Sequence, residues 1–266
     1  MEKSGLMGKG RTAEVYEWGK DQVLKLFYED TPKAVVDYEA GVGRLVSEAL
    51  PVAPAVHGTV QMDHRYGILY DRVKGKSLSY HLVTNPEQGE NYAKKMAELH
   101  WRIHQATCTE LPQELERFSR GIAAAADWLG DKVARILDYA RELSQPVAIC
   151  HGDFHPDNLL VAEELVPIDW MNAYFGSPCG DVARTCLILQ SPHLLGLVPQ
   201  EIQAAVSQQI RLIHDSYLTE YLRLSGASQA EIEAWFLPVM AARLRERVPG
   251  EEQWLLTEIN QRLATL

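Results

Sequence analysis

The chain has 266 residues, enough for one large domain or two modest lobes around a real hydrophobic core. Hydrophobic residues make up 46% and charged residues 23%, a balance that excludes disordered, collagen-like and low-complexity architectures. The formal net charge of -10 argues against a nucleic-acid surface, which draws on clustered cations, and the acid is uneven: residues 1–74 hold 10 basic and 11 acidic side chains, residues 75–266 hold 16 and 25.

In chain order, Val15 to Trp18 and Val23 to Phe27 are short β-rich runs separated by Gly19-Lys20-Asp21, a hairpin signal. Thr31-Pro32 reads as an N-cap followed by proline at the first helical position, opening a helix that runs toward Leu50 and ends at Pro51 and Pro54. Two further strands are expected at Ala55 to Val60 and Tyr66 to Val73, with the turn Met62-Asp63-His64-Arg65 between them. After Lys74-Gly75 long helical patterns take over, at Ser77 to Leu82, Gly89 to Ala106, Glu114 to Leu129 and Asp131 to Leu143. A strand (Val147 to Cys150), a polar loop and a hairpin (Leu159 to Val161 with Val166 to Asp169) interrupt the helices, which resume from about Asp181 with breaks near Pro192, Pro199, Gly226 and Pro249. The expected fold is α+β, with a β-rich lobe at residues 1–74 and a larger, mainly helical lobe at residues 75–266, and a ligand site at their junction.

No stretch reaches the roughly 18 to 20 apolar residues that a membrane helix needs, and the polar start Met1-Glu2-Lys3-Ser4-Gly5 lacks the apolar core of a signal peptide. A cytoplasmic protein with no membrane or nucleic-acid partner is expected. Cys108, Cys150, Cys179 and Cys186 form no C-x-x-C pair and read as buried free thiols rather than as a disulfide or metal set.

The most informative segment is His151-Gly152-Asp153-Phe154-His155-Pro156-Asp157-Asn158, followed by a hairpin and Pro167-Ile168-Asp169-Trp170. Hard cations such as Mg2+ take oxygen ligands, so Asn158 and Asp169 suit a metal held against phosphates, while Asp153 is left free to act on a hydroxyl. Asp followed by four residues and then Asn is also the spacing of kinase catalytic loops. A zinc pair at His151 and His155, as in a metallohydrolase, requires a helix that Gly152 and Pro156 oppose.

Gly8-Lys9-Gly10-Arg11-Thr12-Ala13-Glu14-Val15 fits the start of a kinase glycine-rich loop, with Gly8 and Gly10 letting backbone N–H groups approach phosphate and Val15 covering an adenine; a plain β-turn explains the two glycines as well. Lys25 shares a strand face with Val23 and Phe27 and there needs an anionic partner. Glu39 is the expected one, because Val35, Glu39, Val42 and Val46 lie on one helical stripe that is otherwise apolar; Glu48 takes its place if the helix register differs.

Together these residues resemble the aminoglycoside phosphotransferase and choline kinase-like enzymes, small-molecule kinases with a protein-kinase-like fold. The resemblance runs in order through the Gly8 to Val15 loop, Lys25, Glu39, Tyr70 to Gly75, His151 to Asn158, Asp169 and Gly180-Asp181-Val182-Ala183-Arg184. It implies that Asp153 is the catalytic base, that Asn158 and Asp169 bind Mg2+, that Lys25 contacts the ATP phosphates and pairs with Glu39, and that backbone groups near Asp71 and Val73 hold the adenine. Asp181 would brace the catalytic loop. Ile168-Asp169-Trp170 stands where protein kinases have Asp-Phe-Gly and no Ala-Pro-Glu segment follows, so the expected acceptor is a small hydroxyl compound rather than a protein. Trp101, His104, Trp128, Tyr174, Phe175, Asp215, Tyr217, Glu220, Tyr221 and Trp235 are candidates for the acceptor pocket or, more plainly, for the core and solvated surface. The surplus acid of the second lobe points to a cationic acceptor, beside the simpler account of a solvated acidic surface. The alternative on the same fold is a catalytically silent ATP-binding protein.

Overall fold

The computed structural model describes residues 3–266; Met1 and Glu2, at the polar start of the chain, lie outside the described residues. The first part comprises β1 (Lys3–Lys9), β2 (Ala13–Trp18), β3 (Gln22–Phe27), α1 (Lys33–Ala49), β4 (Val56–Met62) and β5 (Arg65–Asp71). Its strands form one antiparallel sheet in the order β1-β2-β3-β5-β4. The β2–β3 turn uses Gly19 at φ 66°, and the β4–β5 turn places Asp63 and His64 at φ 49° and 62°, the left-handed conformations that a tight hairpin demands.

The structure differs from the sequence reading at three places in this part. Strand β1 was not foreseen, because it is a mostly exposed edge strand carrying Gly5 and Gly8, with no apolar alternation to announce it. Thr31 does not cap α1: Pro32, in an extended conformation, occupies the cap position without a side-chain hydrogen bond. The buried stripe of α1 runs through Val36, Glu39, Ala40, Val42, Gly43 and Val46, while Val35 is exposed, so the stripe starts one residue later than expected and Glu39 stays on it.

Helix α1 joins two cores. Val36 and Ala40 belong to a small cluster with Ala13, Phe27 and Ile68 of the sheet. Val42, Val46 and Leu50, one to three turns later, belong to the large cluster of the helical part. Burying both halves of one helix ties the sheet to the helices, and the largest favourable term in folding makes that tie rigid.

The helical part begins with β6 (Lys76–Ser77) and α2 (Leu78–Thr84), then α3 (Gly89–Ile103), α4 (Glu114–Ala123), α5 (Ala126–Leu129) and α6 (Lys132–Leu143). The helix expected over Glu114 to Leu129 is therefore two helices, separated at Ala124 and Ala125. Next come β7 (Ala148–Cys150), β8 (Leu159–Val161), β9 (Leu165–Pro167) and β10 (Tyr174–Gly176), with β6, β8 and β9 in one small sheet and β7 paired to β10. Strand β9 stops at Pro167 rather than reaching Asp169, whose left-handed backbone (φ 64°, ψ 59°) turns the chain out of the sheet. The chain ends with α7 (Pro178–Leu189), α8 (His193–Gly196), α9 (Gln203–Ser225), α10 (Gln229–Arg243) and α11 (Glu252–Ala264). The expected breaks at Pro192, Pro199, Gly226 and Pro249 all fall between these helices.

The four cysteines are free thiols. Among the described residues no helix is long and apolar enough to cross a membrane.

Helix α10 lies in the large core and owes its start to a capping box: the Ser228 hydroxyl accepts from the Glu231 amide at 3.3 Å and the Glu231 carboxylate accepts from the Ser228 amide at 2.7 Å. Ser228→Ala is expected to lower the unfolding free energy by about 1 kcal/mol in urea denaturation, with an unchanged m-value.

Candidate active site

Strand pairing sets Lys25 of β3 opposite Val15 of β2 on one side and Ile68 of β5 on the other. Cross-strand partners share a face, so Val15 and Lys25 are neighbours on the same side of the sheet. The Lys25 ammonium donates to Glu39 Oε1 at 2.7 Å and to Asp169 Oδ1 at 3.0 Å, and the Tyr70 hydroxyl donates to the same Glu39 oxygen at 3.1 Å. Burial alone pushes the Lys25 pKa down, but the carboxylates of Asp169 and Glu39 outweigh it and hold the amine charged. Glu48, the alternative partner, is exposed.

The glycine-rich segment forms the tip of the β1–β2 hairpin. Gly8 pairs with Val15, and the Gly10 amide donates to the Ala13 carbonyl at 2.8 Å to close the turn. A methyl group added at Gly8 would meet nothing within 4 Å, so packing does not require that glycine. At the end of β5 the Asp71 carboxylate faces away from the sheet centre, accepting from Ala55 N at 3.1 Å and pairing with His57 Nε2 at 2.7 Å. The amides of Asp71 and Arg72 donate to the carbonyls of Ala55 and Asp21, whereas Val73 N has no backbone acceptor among the described residues.

The loop between β7 and β8 carries Asp153 and Asn158. Gly152 has φ 76°, and a Cβ there would overlap the Asn172 carbonyl, so this position takes glycine for both conformation and space. Asp153 Oδ1 accepts from Arg184 Nη2 at 2.7 Å, and Asp153 Oδ2 accepts from Asn158 Nδ2 at 3.3 Å. Burial alone would raise the Asp153 pKa; the Arg184 guanidinium and His155 hold it well below the usual carboxylate range. The Asn158 amide nitrogen also donates to the Asp153 carbonyl at 2.9 Å, so its Oδ1 points away and accepts no hydrogen bond among the described residues.

The Ile168 amide donates to the Asn158 carbonyl at 2.9 Å, extending the β8–β9 pairing, and Asp169 follows directly. Asn158 and Asp169 thus sit at the same end of one hairpin. Their free Asn158 oxygen and half-exposed Asp169 carboxylate are hard oxygen donors with no thiol or imidazole among them, a set that fits Mg2+. His151 does not join a metal pair: it is fully buried, its Nδ1 accepts from the Asp153 amide at 3.3 Å and its Nε2–H donates to the Ile168 carbonyl at 3.1 Å.

Beneath the loop lies Asp181, fully buried in the first turns of α7. Its two carboxylate oxygens accept the amides of His151 at 2.6 Å and Gly152 at 2.9 Å. His100 Nε2–H and His104 Nε2–H donate to it as well, at 3.0 and 3.4 Å, and each ring accepts through Nδ1 from a tyrosine hydroxyl, Tyr217 at 2.6 Å and Tyr221 at 2.7 Å. These tautomers are the ones that satisfy every donor and acceptor in the network. Asp181 is not the N-cap of α7, a place taken by Ser177. Burial would raise its pKa, yet the donors of His100 and His104 hold it far below the ordinary value.

A match to the model of the phosphotransferase enzyme family spans residues 7–211. The chain belongs to that family. Aminoglycoside-3'-phosphotransferase of type VIII shares its fold at a TM-score of 0.59 and 18% identity, over 91% of this chain and 93% of that one. The streptomycin-ATP-APH(2")-IIa ternary complex gives 0.56 and 13% over 98% and 91%, and APH(3'')-Id from Streptomyces rimosus gives 0.55 and 16% over 91% and 92%. Among curated proteins none matches the chain.

Within this phosphotransferase fold, most of the aromatic residues considered for an acceptor pocket are core. His104, Tyr174, Tyr217, Tyr221 and Trp235 are buried, and Trp101, Trp128 and Phe175 pack on the large cluster. Sequence reasoning missed Arg117 at the loop and His100 beneath it, and gave Arg184, quoted within its motif, no role of its own. A signal for His100 was present: His100 in the last turn of α3 and His104 at its C-cap are four apart, and Tyr217 and Tyr221 are four apart on α9, so the two helices offer matching rows of partners. The ligand atoms of His100, His104 and Asp181 are close enough to hold a cation, yet both nitrogens of each ring are already hydrogen-bonded, which makes the cluster a brace.

Burial and the neighbouring His104 lower the His100 pKa from 6.5 to about 3, and burial lowers that of His151. The unfolded chain therefore takes up protons below about pH 6.5 that the folded state refuses until far lower pH, and stability is lost as pH falls through that window. Urea unfolding between pH 7 and 4.5 is expected to show a decline of up to about 1.4 kcal/mol per pH unit for each histidine held neutral. A flat profile would contradict the neutral, hydrogen-bonded rings.

Proposed function

We propose that the protein transfers the γ-phosphoryl group of ATP to a hydroxyl of a small molecule, with Mg2+, and that it divides near residue 75 into a nucleotide-holding lobe and an acceptor-holding lobe. The observation that carries this reading is the convergence of Lys25, Asp169, Asn158 and Asp153 from three segments, β3, the β7–β8 loop and the turn after β9, the first two residues in direct contact at 3.0 Å and the last two at 3.3 Å.

In this reading the Lys25 ammonium, fixed by Glu39, binds the ATP phosphates, the amides of the Gly8 to Val15 hairpin approach them from above, and the backbone of Asp71 and Val73 faces the adenine. Asn158 Oδ1 and Asp169 would hold Mg2+, which supplies charge neutralisation at the phosphate oxygens. Asp153 orients the acceptor hydroxyl in line with the γ-phosphorus. As the new phosphorus–oxygen bond forms and the bond to the β-phosphate oxygen breaks, the hydroxyl proton passes to the Asp153 carboxylate and ADP leaves. A carboxylate held so far below its ordinary pKa is a weak base, so Asp153 acts chiefly by positioning, which suits a loose transition state in which the proton moves late.

The surplus acid that favoured a cationic acceptor is a property of the whole second lobe. At Asp153 itself the Oδ1 partner is the Arg184 guanidinium, and Arg117 holds the adjacent Gly152 carbonyl, both of the opposite sign.

Asp153→Asn is expected to lower kcat by about 10²- to 10⁴-fold in an ADP-release assay across neutral, cationic and anionic hydroxyl compounds, while the thermal shift given by Mg-ATP is unchanged. Full turnover in the variant would remove Asp153 from its assigned role. Nucleotide binding without ADP release from any acceptor would favour the silent nucleotide-binding alternative.

A further inference from the structure

The bonds from Asp181 to the His151 and Gly152 amides fix where Asp153 leaves the loop, but they leave its carboxylate free to turn about two side-chain torsions. That carboxylate is held from outside the loop. Arg184, three residues after Asp181 on α7, donates from Nη2 to Asp153 Oδ1 at 2.7 Å and from Nη1 to Glu246 Oε1 at 2.9 Å. Asp153 Oδ2 has only longer contacts, with Asn158 Nδ2 at 3.3 Å and His155 Nε2 at 3.6 Å.

Glu246, in the turn after α10, carries the contact away from the site. Its Oε2 accepts from Arg243 Nη1 at 2.6 Å, and Arg243 forks onto Glu251 through Nε at 2.8 Å and Nη2 at 2.9 Å. The buried Ser191 hydroxyl, just past the end of α7, donates to the same Glu251. Charges therefore alternate without a break from Asp153 through Arg184, Glu246 and Arg243 to Glu251, and Arg184, Arg243 and Glu251 are buried. A planar guanidinium that holds two carboxylates at once cannot turn without breaking a bond, and arginine does not lose its charge. Stability alone does not account for the arrangement, because a buried ion-pair chain adds little over apolar side chains of the same volume. Arg184 also keeps a buried Nε with no partner among the described residues, so its two Nη bonds set its orientation rather than the satisfaction of every donor.

We infer that Arg184 and Glu246 are positioning residues for phosphoryl transfer: Arg184 holds Asp153 Oδ1, so that Oδ2 is the oxygen turned to the acceptor hydroxyl, and Glu246 acts through Arg184 without touching a reacting atom. The inference rests on the phosphotransferase reading, since it takes Asp153 as the group that meets that hydroxyl. In the transfer the hydroxyl oxygen bonds to the γ-phosphorus, the bond to the β-phosphate oxygen breaks, and the hydroxyl proton passes to Asp153 Oδ2. In-line attack tolerates little error in the placing of the hydroxyl, and a displacement of about 1 Å costs about 10²-fold in rate. The guanidinium keeps the carboxylate in the one orientation that meets this demand. Without the Glu246 charge, Arg184 and Arg243 face each other as like charges, and their repulsion disturbs the Arg184–Asp153 bond.

The test is a double-mutant cycle between Glu246→Gln and Asp153→Asn. It is read as ADP release from Mg-ATP with water alone and with the neutral, cationic and anionic hydroxyl compounds, each rate taken per Mg-ATP site counted by calorimetric titration. Glu246→Gln by itself is expected to lower kcat by about 10- to 10²-fold with the KM for ATP unchanged. In the Asp153→Asn protein the same change is expected to lower kcat by less than about twofold, because a residue that acts through Asp153 then has nothing left to position. Native kcat in Glu246→Gln, or an equal fall in both backgrounds, overturns the inference and leaves the chain of charges a structural network, while the kinase reading stands. If Glu246→Gln fails to bind Mg-ATP, the cycle is run with Arg184→Lys, which keeps the charge and loses the fork, under the same expectations. No ADP release from the native protein with water or any of the compounds strikes the kinase reading and the inference with it.

Discussion

A single buried carboxylate, Asp181, sets the geometry on which the loop carrying Asp153 depends. A fully buried charge survives only if its lone pairs are filled, and here two loop amides and two imidazoles fill them. The cost of burying the charge is offset by what it fixes: the His151 and Gly152 amides are pinned, so Asp153 emerges from the loop at one place. Thr185, one turn further along α7, adds a bond from its hydroxyl to the Phe154 carbonyl at 2.8 Å. The helix is itself held by another buried carboxylate, Glu114, which accepts the Ser177 amide at 2.6 Å and the Ser144 hydroxyl at 2.7 Å. Position passes in order from α4 to α7, from α7 to the loop, and from the loop to Asp153.

The contact between sheet and helices is built differently. Lys25 reaches from β3 to Glu39 on α1 and to Asp169 beyond β9, and α1 lies with one half in each hydrophobic cluster. Asp169 turns out of its hairpin in a left-handed conformation, and the short turn that follows it packs on α1. The charged contact is therefore supported from beneath by apolar packing, which keeps three side chains from distant segments in register without a covalent tie.

What the sequence made legible follows from how local each signal is. Asp153, Asn158 and Asp169 lie within one loop and one hairpin, and their spacing alone exposes an oxygen-rich cluster. Glu39 was readable because a carboxylate on an apolar stripe needs a partner, and that logic survived an error of one residue in the stripe itself. Strand β1 was not readable, since its glycines and exposed side chains carry no alternation. The partners of Asp181 were hidden by distance, with His100 and Tyr217 separated by 117 residues; only their repeated four-residue spacing hints at the match. Net charge is the least local of these signals: it averages over a surface, whereas Arg117 and Arg184, which hold the Asp153 loop, come from α4 and α7, and no window of sequence brings them together.

The dependence of the loop on Asp181 can be measured without knowing the acceptor. Hydrogen exchange of residues 151–158 in Asp181→Asn, compared with the native protein, reports directly on whether that carboxylate holds the loop. The account predicts exchange faster by about tenfold or more in this segment, from the loss of charge-assisted bonds, with the protection of β2, β3 and β5 unchanged. Native-level protection of the loop in a folded Asp181→Asn protein would contradict it.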